Sequence, residues 1–147
     1  MTIDDWGTAV AVLRLANQLV DGVQEGLALS GFADVRPAHG FAFVRISSGD
    51  ATTADVAEHL GVTKQAAGQL VAYLVDRGYV MRRPAPGDAR ARLLALTERG
   101  RACTEAAEAA ARETVEQWRS HLRPAEFAGL QAALETITAP GRLRPSW

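Results

Sequence analysis

The chain holds a single cysteine, Cys103, among its 147 residues. No intramolecular disulfide can form, so nothing demands an oxidising compartment. Aromatic residues are scarce, at 6%; with alanine abundant, helices packed through small side chains are favoured. No apolar run approaches the ~20 residues needed to span a bilayer. The opening Met1-Thr2-Ile3-Asp4-Asp5-Trp6 is acidic where an export signal is basic. His39, His59 and His121 share no metal-ligand spacing, and neither a glycine-rich phosphate loop nor a nucleophile elbow occurs. Glu105, Glu108 and Glu116 read as a solvated helix face. The expectation is a soluble, cytoplasmic chain with no catalytic site, metal or cofactor.

Net charge is nearly absent too, at -1, although apolar residues make up 48% and suffice for a core. The average hides an asymmetry. Between Thr63 and Arg101 stand Lys64, Arg77, Arg82, Arg83, Arg90, Arg92, Arg99 and Arg101, against Asp76, Asp88 and Glu98. Eight minus three gives +5, which leaves 8 basic and 14 acidic residues, or -6, for the rest. A basic segment in an acidic body suggests one face meant for phosphate.

Apolar positions at Trp6, Val10, Leu13, Leu19, Val20, Val23 and Leu27 predict a long amphipathic helix over residues ~5 to ~30 that stops at Gly31. His39 to Ile46 is ambiguous by period alone, and Pro37 favours a helix by suiting its first turn. Thr52 with Asp55 forms a capping signal for a short helix that ends at Gly61. Thr63 caps the next helix, with Ala67, Leu70, Val71, Leu74 and Val75 as its buried stripe and Gly78 as its stop. Tyr79 to Arg83 and Arg92 to Leu96 read as strands, separated by the turn formers Pro84 to Ala89. An alanine-rich helix follows from Thr97 to about Leu122, and a last one from Pro124 to about Thr138.

Two short helices joined at Gly61, with Ala57 as the small contact, form a helix-turn-helix. Burying one face of the second helix turns Lys64, Gln65, Gly68, Gln69 and Ala72 outward. Glutamine can bond the adenine edge in bidentate fashion, lysine can reach guanine or phosphate, and Gly68 removes a side chain where the helix would meet a groove. Directly after it the hairpin carries Arg82, Arg83, Arg90 and Arg92, with Asp88 at its turn. Arginines on a thin ribbon suit phosphates or a narrow minor groove. A solvated helical hairpin is the plainer alternative, and a protein-interaction module is a further one. The two elements together point to double-stranded DNA.

The segment Thr53 to Gly100 with its flanking helices resembles the multiple-antibiotic-resistance regulator (MarR) family of winged-helix transcription factors. The matching residues are Leu60-Gly61-Val62-Thr63, Leu74, Gly78-Tyr79-Val80, Arg82 or Arg83, Asp88-Ala89-Arg90 and Leu96-Thr97-Glu98-Arg99-Gly100. Asp-x-Arg followed by Leu-Thr-x-x-Gly is the most diagnostic part. Lys64-Gln65-Ala66-Ala67 departs from relatives that place arginine or serine there, so no operator can be borrowed.

The resemblance implies a mainly α chain with a small β-wing, a winged helix-turn-helix flanked by dimerisation helices within one domain, 1–147. The expected parts are dimerisation helices over 5–31 and 101–139 and a DNA-binding lobe over 35–100. Thr63, Lys64, Gln65, Gly68, Gln69, Arg82, Arg83, Asp88, Arg90 and Arg92 would meet DNA, with Asp88 bracing Arg90 as the minor-groove probe. Leu13, Leu19, Trp118, Leu122, Phe127, Leu130 and Leu134 would form a homodimer interface. A small-molecule effector is implied as well, with His39, Phe41 and Phe43 as candidate walls. Expected function is ligand-responsive repression at a pseudo-palindromic operator. Cys103 lacks an in-chain resolving cysteine and reads as a packing residue rather than a peroxide sensor.

Overall fold

The computed structural model describes residues 2–140. Six helices and one hairpin follow in the order α1 (Asp5–Leu29), α2 (Pro37–Ser47), α3 (Thr53–Leu60), α4 (Lys64–Asp76), β1 (Val80–Ala85), β2 (Asp88–Leu96), α5 (Glu98–Ser120) and α6 (Pro124–Ile137). They group into two compact units. One comprises the residues up to Ala33 together with Ala106–Pro140, and the other is the lobe Asp34–Glu105. No helix among the described residues is long and apolar enough to cross a membrane.

In the lobe, each helix starts where a side chain can take an orphan amide. Thr52 accepts from the Asp55 amide at 3.3 Å while the Asp55 carboxylate accepts from the Thr52 amide at 2.8 Å, a reciprocal cap for α3. Gly61, at φ 69°, reverses the chain, and the Val62 amide returns to the Ala57 carbonyl at 3.1 Å. The core forms from Phe43, Ile46, Val56, Ala57, Leu60, Ala67, Val71, Leu74, Leu93 and Leu94. Leu70 and Val75 are only half-buried, so the inward stripe of α4 is narrower than its apolar spacing predicts.

The hairpin is longer than its sequence suggests. Pro84 and Ala85 belong to β1, Asp88 onward to β2, and only Pro86-Gly87 turns. Clustered turn formers concealed this, because proline is acceptable in an edge strand beside an irregular register. One step along β1, from Pro84 to Ala85, matches the four from Arg92 to Asp88, so Ala89, Arg90 and Ala91 loop out of register. At its root the Leu94 amide donates to the Ala51 carbonyl at 2.8 Å, tying the hairpin to the loop before α3.

The Leu-Thr-x-x-Gly stretch has a plain physical purpose. Thr97 Oγ1 donates to the Gly78 carbonyl at 2.5 Å and accepts from the Gly100 amide at 3.1 Å, while the Thr97 amide donates to the Tyr79 carbonyl at 3.0 Å. Gly100 lies so close to that carbonyl that a Cβ would collide with it.

The other unit uses glycine in a similar way. On α1, Gly22 faces the Thr114 side chain and Gly26 faces the Ala110 methyl of α5, each too closely for a Cβ. Two glycines four apart thus meet two small residues four apart. Trp118 Nε1 donates to Gln18 Oε1 at 3.2 Å, and Phe127 is buried under the Arg119 guanidinium, 4.1 Å from its ring centre.

Candidate nucleic-acid interface

Helix α4 sorts its residues by face. Ala67, Val71 and Leu74 are buried, whereas Lys64, Gln65, Gln69 and Ala72 are exposed. The outward glutamines are therefore available to a partner. Thr63 spends its hydroxyl on the helix, accepting from the Ala66 amide at 3.1 Å. A Cβ on Gly68 would meet nothing within 4 Å, so the chain's own packing gives no reason for glycine there.

The cations of the basic segment differ in whether the chain itself engages them. Arg77 pairs with Asp34 at 3.3 Å, Arg99 donates to the Tyr79 hydroxyl at 3.0 Å, and Arg101 donates to the Leu96 carbonyl at 2.9 Å. These three are engaged by partners within the lobe, although each stays exposed. In the hairpin, Arg83 pairs with Asp50 at 3.2 Å and Arg92 donates to the Ala89 carbonyl at 3.0 Å. Lys64, Arg82 and Arg90 make no ion pair with the described residues. The Asp88 carboxylate accepts from the Arg90 backbone amide at 3.0 Å. The Arg90 guanidinium thus stands outside that contact.

The other expected residues have the following places. His39 stacks on Tyr73 with ring centres 4.8 Å apart, and its Nδ1 accepts from the Arg36 amide at 2.8 Å. Burial lowers its pKa, so the ring stays neutral and can accept that bond. Phe41 is half-buried; Phe43 is buried against Tyr79, at 5.9 Å between ring centres. Leu13, Leu122 and Leu134 are exposed, Leu19, Trp118 and Leu130 half-buried, and Phe127 is already enclosed within its own unit. Ile137, which the apolar spacing of the last helix also assigns to that surface, is 75% exposed, and Trp6 at 76% adds apolar surface not assigned to an interface from the sequence.

One cluster was invisible in the sequence. Asp34, in the connection before α2, accepts from three groups. Its carbonyl takes the Tyr73 hydroxyl at 2.7 Å, Oδ1 takes the Tyr79 hydroxyl at 2.6 Å, and Oδ2 takes the Arg77 guanidinium. The Tyr79 bond, helped by Arg77 and Arg99, holds the Asp34 carboxyl below its ordinary range. Burial and the bond to Asp34 push the Tyr79 hydroxyl up to about 12. Burial, with the Asp34 charge, pushes the Cys103 thiol up to about 11, which suits a packing residue.

Electrostatically the two units differ. A groove of about 540 Å³ in the α1–α5 unit has Asp21, Glu25 and Glu113 on its walls, a surface that repels phosphate. The lobe offers Lys64, Arg82 and Arg90, which make no ion pair with the described residues.

Residues 36–91 match the model of the MarR family. No functionally curated protein matches the chain significantly. Among solved structures, RV1404 from Mycobacterium tuberculosis is 24% identical over 93% of this chain and 95% of its own, with a TM-score of 0.76. The MarR family protein RV2887 of the same organism, in complex with salicylic acid, is 25% identical over 87% of this chain and 93% of its own, with a TM-score of 0.66. A MepR mutant from S. aureus bound to an oligodeoxyribonucleotide is 18% identical over 88% of this chain and 94% of its own, with a TM-score of 0.67.

Proposed function

Since the chain belongs to the MarR family through residues 36–91 and has that family's winged-helix fold, we propose that it is a cytoplasmic, homodimeric transcriptional repressor, without catalytic activity, that reads a pseudo-palindromic operator. The observation that carries this reading is the outward face of α4, with Lys64, Gln65 and Gln69 exposed and Gly68 leaving clearance between them. In the complex, α4 lies in a major groove with the glutamines on base edges, and the β1–β2 tip carries Arg90 towards the adjacent minor groove. Arg82 serves phosphate, and Arg83 and Arg92 exchange Asp50 and the Ala89 carbonyl for it. That exchange costs little for Arg83, because both members of its ion pair are solvated. The oligonucleotide complex of the MepR mutant supports the choice of DNA over a protein partner.

Dimerisation follows from the exposed apolar surface of the α1, α5 and α6 unit. Ile3, Trp6, Val12, Leu13, Leu29, Leu122, Leu134 and Ile137 are too many large apolar side chains for a monomer to leave in water. Two-fold symmetry then presents two α4 helices to half-sites one helical turn apart. A small-molecule effector, favoured by the salicylic acid complex of RV2887, would act near His39 and Phe41. Phe43 is already enclosed by its lobe and contributes only through its packing.

Selection from a random duplex library tests the reading. Enrichment of an inverted repeat with half-site centres about 10 base pairs apart is expected. Uniform recovery of all sequences, or none, would overturn it.

A further inference from the structure

We propose that Asp34 is a positioning residue for DNA recognition: it clamps the end of α4 to the root of the β1–β2 hairpin and so sets the angle between the two reading elements. The proposal rests on the DNA-binding reading above. A helix and a hairpin can occupy neighbouring grooves together only if their mutual angle is held. The link between α4 and β1 is just Arg77-Gly78-Tyr79, with Gly78 at φ 79°. Its backbone already returns to α4, with the Gly78 amide on the Val75 carbonyl at 3.0 Å and the Tyr79 amide on the Leu74 carbonyl at 2.9 Å.

Asp34 adds a side-chain tie across that link. It lies outside both reading elements, yet it binds residues on each side of the link. Tyr73 is on the last turns of α4, Arg77 is its cap, and Tyr79 enters the hairpin. All three bonds converge on one residue through three different oxygens. Arg99, near the start of α5, completes the arrangement: it donates to the Tyr79 hydroxyl and lies over its ring at 4.5 Å. Tyr79 therefore donates to Asp34 while accepting from Arg99, a directional chain. Arg77 likewise covers the Tyr73 ring at 4.7 Å, so the guanidiniums also fix the tyrosine planes.

A purely stabilising role is not what this geometry suggests. The apolar core of the lobe lies among α2, α3, α4 and the hairpin and needs no ion to hold it. The Asp34 side chain, by contrast, keeps 23% of its surface in solvent. Its loss should loosen an angle more than it unfolds a domain.

The experiment uses the full chain with Asp34→Asn, which keeps the shape and removes the charge. A second variant, Tyr73→Phe, removes only the bond to the Asp34 carbonyl and retains the stack on His39. Affinity is measured for the selected duplex and for a random duplex of equal length. For Asp34→Asn the selected duplex should bind about tenfold more weakly, the effect of one charge-assisted hydrogen bond, with the random duplex unchanged. Tyr73→Phe should move the same ratio less. Amide exchange without DNA should rise across 73–85 and stay constant in α2 and α3. Equal weakening on both duplexes, no weakening, or exchange rising throughout the lobe would overturn the proposal. If wild-type protein selects no duplex, the DNA reading fails, and the exchange pattern separately decides whether Asp34 clamps.

Discussion

Replacing Gly100 by alanine should destabilise the protein, although the same change within a helix ordinarily stabilises by about 1 kcal/mol. Gly100 occupies the first turn of α5, and an added Cβ would fall on the Tyr79 carbonyl oxygen, with Leu96 Cβ at 3.3 Å on another side. That oxygen cannot retreat. It accepts from the Thr97 amide, and Tyr79 is anchored by its own amide to the Leu74 carbonyl at 2.9 Å and by a fully buried ring. The first turn of α5 must move instead, which weakens the bonds Thr97 makes to Tyr79, Gly78 and Gly100. Three such bonds at about 1 kcal/mol each, less the gain in propensity, leave a net loss of about 2 kcal/mol. Urea unfolding followed by far-UV circular dichroism reads this as a lower midpoint at unchanged slope. Gly68→Ala is the control of opposite sign, because a Cβ there meets open space, and it should raise the midpoint. A Gly100→Ala variant as stable as wild type would refute the reasoning.

Three further outcomes are expected. Gly26→Ala should destabilise the α1–α5 contact by about 1–3 kcal/mol through overpacking, and adding Ala110→Gly should restore most of the loss, since the methyl then changes helix; additive losses in the thermal unfolding of the four proteins would contradict the contact. Cys103 should resist alkylation in the native state at neutral pH and react once urea unfolds the chain, because its thiol is 1% exposed and ionises only near pH 11. Stability should also depend on pH at both extremes. Tyr79, raised to about 12, contributes stability that is whole below its ordinary pKa near 10 and is lost as pH rises through 12. Asp34, lowered, contributes stability that is present above the ordinary carboxyl range and lost as pH falls through its depressed value. An alkaline unfolding profile unaltered by Tyr79→Phe would count against the first assignment.

Local chemistry explains which features were legible in the sequence. Thr52 with Asp55, Gly61 and Thr63 mark helix ends by contacts within a few residues, so α3 and α4 could be placed nearly to the residue. The outward side of α4 was equally plain, because it is the complement of an apolar stripe. What failed to show was long-range. Asp34 reaches residues 39 to 45 positions away, and nothing about an isolated aspartate in a loop announces three donors. The arginine count misled for the same reason: Arg77 and Arg99 resemble Arg82 and Arg90 in composition, yet a carboxylate and a tyrosine hydroxyl engage them. The close approach of α1 to α5 did leave a trace, two glycines four apart in a long helix, a pattern that suits contact with small residues. The hairpin tip was obscured by its prolines, since turn-forming residues can also sit in an edge strand.

Base preference at the selected site tests the central claim most directly. Gln65→Ala and Gln69→Ala proteins are carried through the same duplex selection as wild type. If α4 reads the major groove, each variant loses discrimination at its own base pair in both half-sites, by about 1–3 kcal/mol, and keeps the rest of the site. Variants that select the wild-type sequence undiminished would mean that this face of α4 does not touch the bases.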